Sequence, residues 1–427
     1  MRISLLMLGL VLTIQPATSS DLGDPPWWTV RLMPTRVSET ASEGDTYFQQ
    51  GMTYLKDKKY ESAIHAFDEA SAKGVKTPDL FLYRGTCYYE LKRDEQALRD
   101  LSRAIKLRPT DAHAYWLRAD IHERGGQARE SIEDLNRGLE ISPNPIAWQL
   151  YQARGAAYLN LNEPGKAVQD LTRAIELGGS AIGRYSVRIY WLRGRAFMRL
   201  ARYEEAIQDF SAVLERNSDH YDSLLDRGWV YDCLGDFKKS IQDFSRVVSR
   251  NPDDLYARSL RGGGYLGMGD IDAALADLDH AAQHGSRDPW LYIHLANAFY
   301  ENGKLEKALE ANERALAYGD RKTEAPIYFQ KGLFLLAAGR GGEAQTAYDQ
   351  GRIAAEKLPS RIYLEDAIDE LREAMETDAR MKPVATAIIR TLEQSHSKIS
   401  SETLQDTLLC QVPRPHRITQ SQRTTGR

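Results

Sequence analysis

Six times in this chain an arginine just before a Gly or Ala is followed sixteen positions later by an aspartate: Arg84/Asp100, Arg118/Asp134, Arg154/Asp170, Arg193/Asp209, Arg227/Asp243 and Arg261/Asp277. A guanidinium and a carboxylate can grip a ligand or grip each other, and the pattern favours the second. Successive arginines stand 34, 36, 39, 34 and 34 residues apart. Where the period continues without the arginine (Gln50, Leu295, Lys331), the aspartate is gone as well (Ala66, Ala311, Ala347). Charges that come and go together are charges in contact. Removing one partner of a buried pair leaves the other uncompensated, at roughly 3 to 5 kcal/mol. A structural ladder is expected, with each arginine within about 4 Å of the aspartate of its own period.

The other residues that could carry chemistry fall short of a site. Gly262-Gly263-Gly264-Tyr265-Leu266-Gly267 satisfies G-x-G-x-x-G, but that motif binds a pyrophosphate only where it joins a strand to a helix N-terminus. The period places it inside a helix instead. His122-Glu123 lacks the second His of H-E-x-x-H, and Gly165-Lys166 and Gly303-Lys304 lack the Ser or Thr of a phosphate-binding loop. The nine histidines form no cluster at ligand spacing. No catalytic, cofactor-binding or metal residue is assigned, no cofactor is expected, and the chain is not expected to be an enzyme.

The elements that position these residues follow from the period, since a repeat near 34 residues is written by stacked helical hairpins. With the arginine at position 7, position 8 is small in nine units, from Gly51 and Gly85 through Gly228 and Gly262 to Gly332. Position 20 is Ala or Ser, and position 24 is mostly large, as in Phe67, Leu101, Phe210, Phe244 and Leu278. A small residue opposite a large one lets two helix backbones approach closely. The second unit carries Phe81, Gly85, Tyr88, Ala97, Ala104 and Pro109 at positions 4, 8, 11, 20, 27 and 32.

Over about residues 44–357 this pattern resembles the tetratricopeptide repeat family. Asn312 departs from it at the large position, and Val213 and Val247 depart from it at small position 27. The resemblance implies an all-α fold, a right-handed α-solenoid superhelix of about nine helix-turn-helix repeats with C-terminal capping helices. It also implies a concave groove, lined by the first helix of each repeat, that holds another protein or a peptide. Groove positions and their neighbours include Trp116, Trp191, Arg195, Trp229, Asp226, Tyr256 and Trp290, with Tyr89 and Tyr300 beside them. Aromatic side chains on such a lining are natural binding anchors. Charge there is split between Arg188, Arg195 and Arg199 and Asp222, Asp226 and Asp232, which either pair with one another or hold a ligand bearing both signs. The carboxylate clamp of chaperone-binding members is missing, because its offsets hold Phe48, Met52, Tyr83, His113 and Leu117.

Composition and the chain ends complete the expectation. With 56 basic and 60 acidic residues the formal charge is −4, which gives no footing for nucleic acid or an anionic membrane. Met1-Arg2, the apolar run from Ile3 to Ile14 and the small residues Ala17 to Ser20 read as a signal peptide over 1–20. The apolar run is shorter than the roughly 20 residues of a spanning helix. Membrane contact is therefore expected only through that export signal or an uncleaved anchor, and the protein is expected to be exported, secreted or periplasmic. Residues 21–43 read as an extended linker, 44–357 as the solenoid, 358–410 as capping helices and 411–427 as a disordered basic tail. Breaks in the period fall at Ser142 to Ile146 and Gly178 to Val187. Cys87, Cys233 and Cys410 are expected to be unpaired. The expected function is that of a non-catalytic interaction scaffold, the alternative being a regulatory or targeting subunit of an exported enzyme complex.

Overall fold

The computed structural model describes residues 42–141, 147–178, 186–358 and 362–396, together with Gly183 and the dipeptides Leu5–Leu6 and Val412–Pro413. The expectations for the signal peptide, most of the linker, the first break in the period, most of the second and most of the tail lie outside the described residues. Leu5–Leu6 (β1) and Val412–Pro413 (β2) form one short antiparallel pair. The other described elements are helices.

The chain divides into two compact units, Leu12–Ala196 and Phe197–Arg427 with Met1–Val11. The N-terminal unit contains four hairpins: α1 (Glu43–Lys56) with α2 (Tyr60–Ala72), α3 (Pro78–Glu90) with α4 (Asp94–Leu107), α5 (Ala112–Arg124) with α6 (Ala128–Ile141), and α7 (Ala147–Asn160) with α8 (Pro164–Gly178). The division falls within α9 (Ser186–Arg199). The C-terminal unit continues with α10 (Tyr203–Arg216) and four more hairpins: α11 (Tyr221–Cys233) with α12 (Phe237–Arg250), α13 (Leu255–Met268) with α14 (Ile271–Gln283), α15 (Pro289–Glu301) with α16 (Leu305–Tyr318), and α17 (Glu324–Ala337) with α18 (Gly341–Glu356). Within each unit first helices also touch first helices, as α3 touches α5 and α13 touches α15. One side of each stack is thus made of first helices.

Local chemistry sets the helix ends. Thr77 caps α3 by accepting from the Leu80 amide at 3.3 Å, with Pro78 at the first helical position, where a missing N–H costs nothing. Asp254 caps α13 through the Ala257 amide at 2.8 Å. Position 15, in the turn of every hairpin, has a left-handed backbone: Gly126, Gly235, Gly269, Gly303 and Gly339 take it without strain, and Lys58, Lys92, Asn162 and Ala201 take it with a Cβ.

The small-against-large pattern is the core. A Cβ on Gly228 would lie 2.6 Å from the Phe244 ring, and one on Gly262 would lie 2.6 Å from Leu278, so no larger residue fits. Asn312 breaks the rule by bonding. It is fully buried, and its Nδ2 donates to the Ile327 carbonyl (3.0 Å) and to Gln330 Oε1 (2.7 Å). Gln330 in turn donates to the Ile293 carbonyl and to Asn297 Oδ1. An amide network therefore joins α15, α16 and α17 where a large side chain stands in other repeats. Val213 and Val247 are buried without disturbing their helices.

After the last hairpin, α19 (Ile362–Thr377) and α20 (Lys382–His396) bury Leu364, Leu371, Ile388 and Leu392 in the same core as α15 to α18. The cysteines differ from expectation. Cys87 is a buried free thiol, its pKa raised by burial, but Cys233 is disulfide-bonded. The expectation weighed only whether the two repeat cysteines could reach each other.

Candidate partner-binding surface

The repeated charges turn inward. Arg84 Nε and Nη2 donate to the two carboxylate oxygens of Asp100 at 2.7 and 2.8 Å. The same two-pronged grip joins Arg118 to Asp134, Arg154 to Asp170, Arg227 to Asp243 and Arg261 to Asp277, all between 2.6 and 2.8 Å. The carboxylates are buried, and their hydrogen bonds hold the pKa of Arg84, Arg118, Arg154 and Arg261 above the ordinary value. Arg193 and Asp209 belong to different units.

Sequence reasoning missed the third prong. Nη1 of each arginine reaches back to the preceding hairpin: Arg84 to Asp68 (2.7 Å), Arg118 to Ser102 (3.1 Å), Arg154 to Asn136 (2.6 Å), Arg193 to Thr172 (3.2 Å), Arg227 to Ser211 (2.9 Å) and Arg261 to Ser245 (3.3 Å). The signal was present, since position 25 is a hydrogen-bond acceptor in all six preceding units. Each guanidinium also lies over an aromatic ring of its own helix, as Arg84 does over Phe81 at 5.8 Å and Arg227 over Tyr231 at 5.8 Å. In Arg84, Arg118, Arg154, Arg227 and Arg261 each guanidinium nitrogen is engaged, so the ladder ties each of these hairpins to the one before it.

The glycine-rich motif is equally structural. All four of its glycines lie within α13, where Gly263 faces the His294 ring, Gly264 faces Ser240 and Ile241, and Gly267 faces Phe237. It marks a helix packed closely on several sides. Among the described residues no group of three His, Cys, Asp or Glu is arranged to hold a metal ion, and no helix is long and apolar enough to cross a membrane.

In the N-terminal unit the first-helix side carries an aromatic and charged cluster. Trp116 is half-buried, stacked on His113 (6.1 Å) and tilted against Tyr89 (6.5 Å). Tyr89 is buried and donates to Asp120 Oδ2 at 2.7 Å, and the Arg124 guanidinium lies 4.6 Å over its ring. Burial pushes the Glu123 carboxyl up to about 7, against the pull of Asn160, which donates to it, and of the Arg188 charge. Trp191 is half-buried, with the Arg195 guanidinium 5.0 Å from its ring. Arg195 itself is only 3 % exposed. This corrects its placement on the lining: it supports Trp191 from within, where stacking on the indole offsets its desolvation.

In the C-terminal unit, α11 presents Asp222 exposed, with Asp226 and Trp229 half-buried, and α13 adds Tyr256, half-buried. Burial, then the nearby Asp288 and Asp226 charges, raise the Tyr256 pKa. Burial pushes Asp232 up to about 8, against a smaller pull from the Ser240 hydroxyl. Trp290 is a second correction: at 6 % exposure it belongs to the core between α15 and its neighbours. Tyr300 stacks on Phe334 at 4.9 Å. Of the aromatics expected on the lining, Trp116 and Trp191 in one unit and Trp229, Tyr256 and Tyr300 in the other stay part-exposed, whereas Tyr89 and Trp290 are buried.

Comparison with known proteins agrees with this architecture. Models of the tetratricopeptide repeat match residues 48–100, 112–145, 152–221, 191–255 and 265–325, and a TPR repeat model matches 85–126, together more than half of the chain. Hsp70-Hsp90 organizing protein 2 of Arabidopsis thaliana is 28 % identical over 101 residues, 24 % of this chain and 18 % of that protein. Tetratricopeptide repeat protein 13 of Homo sapiens is 31 % identical over 126 residues, 28 % of this chain and 14 % of that protein. The match thus spans less than a fifth of the length of these curated relatives. A solved tetratricopeptide repeat protein from Parabacteroides merdae aligns with 60 % of this chain and 98 % of its own at 20 % identity, with a TM-score of 0.46. Hairpins of one period, small-against-large packing and the matching repeat models agree: this chain belongs to the tetratricopeptide repeat family.

Proposed function

We propose that the protein is a non-catalytic scaffold whose first-helix faces hold an extended segment of another protein. The observation that carries this reading is the contrast between the two kinds of repeated residue. The ladder is internally satisfied, whereas Trp229 and Tyr256 stand half-exposed beside Asp222 and Asp226 on adjoining first helices. Half-exposed aromatics next to charges form the anchor-and-rim arrangement of an interface. One relative is named for organising Hsp70 and Hsp90, but here the clamp offsets hold Tyr83, His113 and Leu117, all buried. A peptide's terminal carboxylate is therefore not the proposed ligand, and an internal segment is. Export remains part of the proposal, supported by the N-terminal sequence. An intact Met1 on protein recovered from the cytoplasm of its native cell would remove it.

The test begins with co-purification from the native source and mass spectrometry, followed by affinity measurement with the partner found. Trp229→Ala is expected to weaken binding about thirtyfold, as loss of a hot-spot aromatic does, with a smaller effect on thermal stability. Unchanged affinity with a large fall in melting temperature would make the ring a packing residue. A single stoichiometric enzyme partner would point to the regulatory or targeting subunit. Turnover by the isolated protein would overturn the non-catalytic reading.

A further inference from the structure

We infer that the buried amide network of α15, α16 and α17 aims Asn297 so that its side-chain N–H groups donate to a main-chain carbonyl of the segment held on the first-helix face of the C-terminal unit. Asn297 is then a binding residue, and Gln330 and Asn312 are positioning residues that act through it. The inference deepens the scaffold proposal and rests on it.

The direction of the network follows from its two backbone contacts. A carbonyl oxygen only accepts. The atoms that reach the Ile327 carbonyl from Asn312 (3.0 Å) and the Ile293 carbonyl from Gln330 (3.0 Å) are therefore the amide nitrogens, which fixes which way each side chain is turned. Asn312 Nδ2 gives its second hydrogen to Gln330 Oε1 at 2.7 Å, and Gln330 Nε2 gives its second to Asn297 Oδ1 at 2.7 Å. Each amide thus turns the next, and the series of donors ends on Asn297 with Nδ2 directed away from Gln330. At the core end one acceptor is left over, Asn312 Oδ1, sealed from solvent. At the other end both hydrogens of Asn297 Nδ2 have no partner among the described residues.

Asn297 is only 7 % exposed. Donors held that deep without an acceptor are a cost to the free protein that an arriving acceptor removes. Their place is on the lining: Asn297 is at position 9 of its unit, the position that Trp229 holds two units earlier. Gly263 holds position 9 of the unit between, so no side chain there keeps a main chain at a distance. The surrounding lining residues Gly263, Ile293 and Leu333 bear no charge. A carboxylate would call for a cation beside the donors, whereas the uncharged acceptor that every extended segment offers is its main-chain carbonyl. Successive first helices about 10 Å apart put Trp229 and Asn297 about 20 Å from each other, a span that about six extended residues cover. One segment is therefore anchored by a side chain at Trp229 and held by its main chain at Asn297. Asn312, a defect by the repeat pattern alone, gains a reason in the same way.

The test uses the full chain and, as probe, the tightest-binding peptide from a phage-displayed library of random dodecapeptides, selected on the wild type and counter-selected on the Trp229→Ala protein. Asn297→Ala, with helix content checked by circular dichroism, is expected to weaken the probe about tenfold, the upper worth of a neutral hydrogen bond. Replacing each probe side chain in turn by alanine is expected to leave that ratio unchanged. A replacement that abolishes it would put the contact on a side chain and overturn the main-chain assignment. Gln330→Met keeps the length without the amide, and it is expected to weaken the probe about threefold in the wild type and not at all in the Asn297→Ala protein. Equal losses in both backgrounds would make Gln330 merely structural. A probe that depends on Trp229 but is indifferent to Asn297 would overturn this inference alone. A library that yields no binder dependent on Trp229 would overturn the scaffold reading of this face, and the inference with it.

Discussion

Arg227 shows what one side chain can do when each of its three nitrogens has a partner. Two prongs hold buried Asp243 at 2.8 Å and the third holds Ser211 of the preceding hairpin at 2.9 Å. Asp243→Ala leaves a half-buried guanidinium uncompensated and is expected to cost about 3 kcal/mol. The Arg227→Ala, Asp243→Ala double variant is expected to cost clearly less than the sum of the single changes, which urea denaturation of all four proteins would measure. His294 is a different case, a buried imidazole against Gly263 whose pKa burial lowers to about 4. Unfolded, it titrates near 6.5, so between those values the unfolded chain binds more protons. The stability from the neutral ring is complete above about pH 6.5 and is lost as the pH falls toward 4, by at most about 3 kcal/mol. The urea midpoint of the wild type should therefore fall more steeply over that window than that of His294→Gln, and parallel slopes would refute this.

At the scale of the element, the hairpin turns differ in strain although their geometry is shared. Ala201 has φ 54°, where Gly269 has φ 83°. An alanine in the left-handed region costs roughly 1 kcal/mol, so Ala201→Gly is expected to stabilise the protein by up to about that amount in thermal denaturation. Gly269→Ala should destabilise it by a similar amount. Helix pairing and the ion-pair ladder were legible in the sequence because they depend on local spacing repeated many times, so errors at one unit are outvoted by the others. Exposure was less legible because it depends on what the neighbouring hairpin supplies. Trp229 and Trp290 both stand on first helices, yet α11 carries Asp222 and Asp226 beside its indole while α15 is buried without interruption from Trp290 to Ala298. A helix apolar all round is an interior helix, a cue outweighed by the groove register. Arg195 gave no cue, because its support comes from the Trp191 ring. The paired Cys233 was missed because only contacts between repeats were weighed.

At the scale of the whole molecule, each stack needs an end, since a terminal hairpin leaves one apolar side uncovered. Leu371 and Leu392, fully or almost fully buried on α19 and α20, provide that cover at the C-terminal side. Leu371→Ala is expected to cost about 2 to 5 kcal/mol. Hydrogen exchange should show the loss of protection strongest in α17 to α20 and fading toward α11, because each hairpin is stabilised mainly by its nearest neighbours. Uniform loss across the C-terminal unit would indicate one all-or-none block instead. The three-pronged arginine has a further consequence. Every hairpin from α3 onward that bears it presents the same plug at its front, and the acceptor at position 25, as in Ser102, Asn136 and Ser211, is the same socket at its back. Hairpins joined by a standard coupling are interchangeable parts. A gene encoding such a chain can be lengthened by duplicating an internal unit, and the new junction is compatible at once because both halves of the coupling travel with the copy.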